Sequence, residues 1–220
     1  RTEEKAKTIE LNRYEFDWSG NPTTKNDEPI VTWDASVNYQ ELATSTLGNT
    51  TAKNIAEFKI KASQAGSGGF YIGRYEARKN LSGAITEKGT DSVWNLITQP
   101  NAATQARNMY QNATTYTSDL MNSYAWDTAV LFLQTFGNNS KYSIQNSVNT
   151  TLATTGTNNQ TTKDVQCNVY DMASNTLEWE TETSSYSGYP CASRGGDFNV
   201  SSSYTSERGY HTTSSSYSSV

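Results

Sequence analysis

Two pieces of the last third of the chain constrain the fold more than any other stretch: CNVYDMASNTLEWE, from Cys167, and YPCASRGGDF, from Tyr189. Their apolar, aromatic and glycine residues stand at spacings that demand a fixed backbone, because glycine is used where a chain turns tightly or approaches another closely. The residues that follow, NVSSSYTSERGYHTTSSSYSSV, are almost wholly Ser, Thr, Tyr and Asn. Such a contrast describes a rigid frame that holds up a polar surface studded with aromatic rings.

A chain of 220 residues with no sustained break in composition can bury a sizeable core, as one domain or as one domain with an N-terminal extension. The formal net charge of −5 supplies no basic stripe for a phosphate backbone, so nucleic acid is not an expected partner. No apolar run approaches a membrane span or forms a signal-peptide core. The wealth of Ser, Thr, Asn and Tyr fits an extracellular or cell-surface protein better than a cytosolic enzyme. No phosphate-cradling glycine loop, H-E-x-x-H, C-x-x-C or nucleophile elbow is present.

Along the chain, RTEEKAKTIE reads as a charged helix end with nothing of its own to bury. Tyr14 to Trp18 and Ile30 to Trp33 are aromatic and β-branched pieces, read as two short strands or a loop-rich lead-in around the turn-rich SGNPTTKNDEP. Ile55, Phe58 and Ala62 fall at helical spacing, and Gly66 to Gly69 end that helix. FYIGRYEA, Phe70 to Ala77, is the clearest strand pattern of the first half, and Arg78 to Ser92 is a polar connector. Thr98 or Asn101 can cap a helix with Ala102, Ala106, Met109 and Tyr110 as its buried stripe. Trp126, Ala129, Val130 and Leu133 mark a second, widened by Leu131 and Phe132, stopped by Gly137 and expected to be buried on most sides. Asn138 to Lys163 is expected to be a long surface loop.

NVYDMASNTLEW followed by RGGDFN resembles the signature of the formylglycine-generating enzyme (sulfatase-modifying factor) family, and FYIGRYEA resembles that family's first core strand. The resemblance implies an α+β domain with the C-type lectin fold of the formylglycine-generating enzyme type and much irregular structure. It divides the chain into an N-terminal extension, 1–65, and a lectin-like domain, 66–220. Family members that oxidise a substrate cysteine bind copper through two thiols shortly after RGG. Val200 and Thr205 occupy those positions here, and neither offers a thiolate. Iron-dependent members use several histidines, whereas His211 is the single histidine of this chain. Catalysis is therefore not expected.

In the implied fold Cys167 and Cys191 flank neighbouring core strands, so an intramolecular disulfide is expected, with two buried free thiols as the alternative. The family also holds calcium in the turn equivalent to 171–178, which makes Asp171 and Glu178 candidate metal ligands, with carbonyls of Ser174 and Thr176. The alternative is that Asn175, Glu178 and Trp179 brace this loop by hydrogen bonding and packing. No other cofactor is implied.

Between Asp197 and Ser219 most positions are Ser, Thr, Tyr, Asn, Asp or His, types whose codons lie a few adenine substitutions from Asn or Tyr. Tyr and Ser are also what antibody paratopes favour. With RGGDF beside it, this segment resembles the variable region of diversity-generating-retroelement target proteins, which display a ligand-binding face on this fold. The candidate ligand-binding residues are Asp197, Asn199, Ser201, Ser202, Ser203, Tyr204, Tyr210, His211, Ser214 and Tyr217, while Phe198, Val200 and Arg208 are expected to tie the segment to the core. RTEEKAKTIELNRYEF further resembles the stretch after the hydrophobic helix of prepilin-type surface proteins of gut Gram-positive bacteria, which implies membrane attachment only through a helix ahead of Arg1. The expected function is recognition of a protein or glycan on another cell or host surface; the alternatives are a formylglycine-generating-type oxidoreductase and a structural pilin-like subunit.

Overall fold

A computed structural model describes residues 8–32, 34–41, 52–64, 69–80, 83–85, 93–148, 151–154, 164–200 and 202–216. Its strands are β1 (Tyr14–Phe16), β2 (Pro22–Thr24), β3 (Ile30–Val31), β4 (Asn38–Gln40), β5 (Arg78–Asn80), β6 (Gly83–Ile85), β7 (Val165–Gln166), β8 (Val169–Tyr170), β9 (Glu178–Ser184), β10 (Cys191–Arg194) and β11 (Arg208–His211). The helices are α1 (Ile55–Gln64), α2 (Gln99–Asn108) and α3 (Ser123–Phe136), with a 3₁₀ turn at Tyr142–Ile144. The fold is mixed α+β. Its main sheet is antiparallel, in the order β11-β10-β9-β4-β3, and three two-stranded ribbons, β1-β2, β5-β6 and β7-β8, surround it.

Side chains alternate across β9, and each face of the sheet meets a different helix. Trp179 and Cys191 pack with Ala102, Ala103 and Ala106 of α2 and with Ile97 and Leu120. The indole N–H of Trp179 donates to the Ile97 carbonyl at 2.8 Å, so this fully buried ring has its one donor satisfied. Glu178, Glu180 and Glu182 face the other way, toward α3. Asn122 caps α3 by accepting from the Ala125 N–H at 2.9 Å, and Gly137 stands at its C-cap, as the periodicity predicts. The first two turns of α3 are buried all round, but Phe132 and Phe136 are 44 % exposed, so burial on most sides holds only for its N-terminal half. In α2 the alanines are buried, whereas Tyr110 lies beyond the helix and is exposed.

The sequence reading needs correction at several points. Phe70 to Ala77 is not a strand: it joins no ladder among the described residues, and the Arg74 carbonyl accepts from the Tyr170 N–H and the Ala77 carbonyl from the Trp94 N–H, both at 2.9 Å. The connector after it forms the β5-β6 ribbon, and the turn-rich SGNPTTKNDEP contains β2, which pairs with β1. The loop after Gly137 buries Tyr142 completely. β4, which lies ahead of residue 65, pairs with β9 through Tyr39↔Ser184 and Gln40↔Thr183.

Beneath the sheet lies a buried cluster of charge. Arg194 reaches Asp127 of α3 at 2.5 Å and Glu180 at 3.4 Å; Arg208 reaches Asp127 at 2.7 Å and Glu182 at 2.8 Å; Arg13 pairs with Glu182 and donates to the Tyr39 carbonyl at 2.9 Å. Burial opposes ionisation of Asp127 and Glu182, yet the guanidinium groups overcome it and hold both carboxyls below the ordinary range. Burial pushes Glu180 well up in spite of Arg194.

Glu41, just past β4, accepts from the Ser123 N–H at 2.8 Å and from the Thr181 hydroxyl. Burial first, and then Glu182, pushes its carboxyl from 4.5 to about 7. A carboxyl raised in the folded state stabilises fully below about pH 4.5 and loses that contribution as pH rises through about 7, whereas the depressed Asp127 and Glu182 lose theirs only in acid. Glu41 alone is therefore expected to withdraw on the order of 3 kcal/mol between about pH 4.5 and about pH 7, while burial of His211, whose pKa is lowered to about 4, adds stability up to about pH 6.5 and offsets part of that loss. Thermal melts of the wild type and of Glu41→Gln across that range check this by difference: the wild type should lose stability relative to the variant as pH rises, and a difference that does not change with pH refutes the assignment.

Candidate functional site

The two motifs of the sequence meet as a close backbone contact. A β-carbon on Gly195 would lie 2.7 Å from the Met172 carbonyl and 2.7 Å from Glu178 Oε2, and one on Gly196 would lie 2.4 Å from the Ala173 carbonyl. Gly195 also has φ of +76°, which favours glycine. The glycine pair therefore exists so that the chain leaving β10 can lie against the YDMASN turn, where the Phe198 N–H donates to the Asn175 carbonyl at 3.0 Å.

From this junction the chain runs outward. Asp197 accepts from the Asn199 and Val200 N–H groups and closes a tight turn. Asn199 and Ser202 are exposed, Ser203 and Tyr204 half-buried, and Thr205 and Ser206 buried. Thr205 and Ser206 are anchored by N–H bonds to the Gln145 and Ser143 carbonyls at 3.1 and 2.9 Å. Arg208 ties the segment to the core as expected. Val200 does not, being 42 % exposed at the tip of the turn.

Past Arg208, the side chains of β11 divide between the faces. Tyr210 packs half-buried on Val37, Tyr39 and Ala192. His211 turns to the opposite face: its ring stands edge-on to Trp179 at 5.2 Å, Nε2 lies 2.8 Å from the Ser193 hydroxyl, and burial lowers its pKa from 6.5 to about 4. This corrects its expected place on the display surface; it is a neutral packing residue. Ser214 is exposed, and Ser201 and Tyr217 lie outside the described residues.

Two of the candidate residues, Tyr204 before β11 and Tyr210 within it, thus each join an aromatic patch completed from elsewhere in the chain. In the first, Tyr204 meets Trp18, 79 % exposed in the β1–β2 turn, edge-on at 5.9 Å. In the second, Tyr210 stacks on Tyr186 at 4.5 Å and meets Tyr189 at 5.9 Å, both from the β9–β10 connection. The sequence reading missed Trp18, Tyr186 and Tyr189. The signal was present in SSYSGYP, which has the same Ser/Tyr composition as the C-terminal segment.

Asp171 and Glu178, the candidate metal ligands, are both buried, together with Glu76 and Asp164. Burial first, then Glu76, Asp164 and Asp171, pushes the Glu178 carboxyl well up. Glu76 accepts from the Asn175 amide and from the Thr176 hydroxyl at 2.9 Å, and Asp164 accepts from the Tyr142 hydroxyl at 2.6 Å and the Ala173 N–H at 2.7 Å. These bonds brace the turn. Glu178 Oε2 has no hydrogen-bond partner among the described residues, and such a buried carboxylate oxygen suits a hard cation. No three His, Cys, Asp or Glu among the described residues stand at metal-ligating spacing.

The expected Cys167–Cys191 disulfide is not formed; both thiols are free. Cys167 is exposed in the two-residue turn between β7 and β8, where it and Asn168 have φ of +50° and +64°. Cys191 is buried under α2, and burial pushes its thiol up to about 11. Alkylation of the native protein is therefore expected to label Cys167 alone, and Cys191 only after unfolding. Mass spectrometry of the native adduct checks this, and a peptide linking the two cysteines would restore the bridge.

Among the described residues no helix is long and apolar enough to cross a membrane. Comparison with known proteins gives no matching family model, no matching curated protein and no matching solved structure.

Proposed function

We propose that the chain is a non-catalytic recognition module, with the C-type lectin fold of the formylglycine-generating enzyme type, that binds a protein ligand at the surface of a cell. The observation that carries this reading is the division of labour within 197–216. Thr205, Ser206 and Arg208 are buried and bonded to the frame, while Asn199, Ser202 and Ser214 are exposed and Tyr204 and Tyr210 join outward aromatic patches. Pre-organised aromatic rings among small polar residues are what interfaces use as anchors. A variable segment of the retroelement type would suit such a frame, because the buried Thr205 and Ser206 are held through their backbone N–H groups while the exposed positions stand clear of the core. The free thiols withdraw the disulfide as support for an extracellular location, which then rests on composition and on the prepilin resemblance.

Replacing Asn199, Ser202 and Ser214 together by Ala is expected to leave stability within about 0.5 kcal/mol. Trp18→Ala or Tyr204→Ala should weaken a ligand found by screening cell-surface proteins by about 2 kcal/mol or more. Unfolding of the triple variant would place those residues in the core, and unchanged binding in both aromatic variants would move the site away from the first patch. Turnover of a cysteine-containing peptide would instead favour the oxidoreductase.

In the same reading Asp171 and Glu178 hold a calcium ion that braces the YDMASN turn and takes no part in chemistry. The protein should then melt several degrees lower in EGTA than in millimolar calcium chloride, with the difference lost in Glu178→Gln. Identical melts in both solutions exclude the ion.

A further inference from the structure

The second aromatic patch has a chemistry of its own. Tyr186 and Tyr189, 39 % and 41 % exposed, come from the connection between β9 and β10, and Tyr210 comes from β11. Tyr186 and Tyr210 are stacked at 4.5 Å with 20° between planes, and Tyr189 stands edge-on to both, at 5.3 and 5.9 Å. The rings lock one another, so the outer surface is presented at little entropic cost. At its rim lies Asp34, in the turn between β3 and β4: its carbonyl accepts from the Val37 N–H at 3.0 Å, and Val37 is one of the residues Tyr210 packs on. Burial, then Tyr186, Asp34 and Tyr189, raises the Tyr210 phenol.

Asp34 is ready to act as an anion. The Ser36 hydroxyl, at 2.6 Å, and the Ser36 N–H, at 2.9 Å, both donate to its Oδ1 and hold the carboxyl below the ordinary range. No hydrogen bond is made to Oδ2 among the described residues. Negative π-faces beside a fixed carboxylate attract a planar cation: a guanidinium can lie flat on a ring while its edge donates to the carboxylate. A phosphate or sulfated sugar would meet like charge there.

We propose that Tyr186, Tyr189, Tyr210 and Asp34 form a seat for an arginine side chain of the protein ligand. The inference rests on the recognition reading and names its chemistry. The probe is an oligo-arginine peptide, with oligolysine of equal length and a maltodextrin as comparisons, titrated by calorimetry at low and at high salt. Oligo-arginine is expected to bind more tightly than oligolysine, to weaken with salt, and to lose about fivefold to tenfold in affinity in Tyr186→Ala, Tyr189→Ala and Asp34→Asn. Glu15→Gln removes an equal charge on β1 and should change nothing, and melting temperatures confirm that each variant is folded. Equal losses in Glu15→Gln and Asp34→Asn, full binding by Tyr186→Ala, or preference for maltodextrin would overturn the seat. A screened protein ligand that still binds Tyr186→Ala but is lost in Trp18→Ala would overturn the seat alone and leave the recognition reading standing.

Discussion

Three arginines and three carboxylates, Arg13, Arg194 and Arg208 with Asp127, Glu180 and Glu182, share one buried cluster, and the rest of the molecule is arranged by it. Its members come from the segment before β1, from α3, and from β9, β10 and β11, so the cluster joins regions far apart in sequence. Its worth is not simply additive. Desolvation of buried ions offsets much of their attraction, but deleting one partner strands the others and costs about 3–5 kcal/mol. Arg194 is bound most completely, since it also donates to the Glu207 and Ser206 carbonyls and stands over the Trp126 ring at 5.6 Å. Those carbonyls belong to the segment before β11. The cluster therefore fixes the sheet and the recognition segment by the same side chain.

The glycine pair supplies the second constraint. Because Gly195 and Gly196 let the backbone touch the Met172 and Ala173 carbonyls, the segment after β10 is set by main-chain geometry before any of its own side chains are consulted. Trp126 adds to this from α3, its indole N–H donating to the Thr205 carbonyl at 3.0 Å. Three contacts to backbone, from Arg194, Trp126 and the Asn175 carbonyl, hold the segment at points where identity of the recognition side chains does not matter.

What was legible in the sequence was whatever local periodicity or a special backbone position encodes. The three helices follow from apolar spacing and caps, and the packing role of Trp179 follows from its place in the motif. The failures have one physical origin, which is that short strands here are defined by partners distant in sequence. FYIGRYEA has the alternation of a strand but joins no ladder among the described residues, while Pro22–Thr24 has poor strand composition and is paired because Tyr14–Phe16 lies alongside. Arg13 gives no local hint that it will meet Glu182, and a cysteine before each motif gives no measure of whether the thiols share an environment. His211 was misplaced because alternation along β11 was not known, and one position decides which face a strand residue joins.

The division of the surface into two aromatic patches follows from β11 itself. Its four residues carry Arg208 and Tyr210 toward the charge cluster's face and Gly209 and His211 toward Trp179, so within the strand Tyr210 is the ring that joins a surface patch. Gly209 is required in that arrangement: a β-carbon there would lie 2.8 Å from the Ser193 hydroxyl, which already bonds His211. The strand is consequently frame throughout except for the outer edge of Tyr210. The other rings around it come from turns of the frame, Trp18 on one side and Tyr186 and Tyr189 on the other. Each patch therefore combines a ring from the segment after β10, Tyr204 or Tyr210, with a ring or rings of the frame, so that exposed residues of that segment can change while the aromatic half supplied by the frame stays in place.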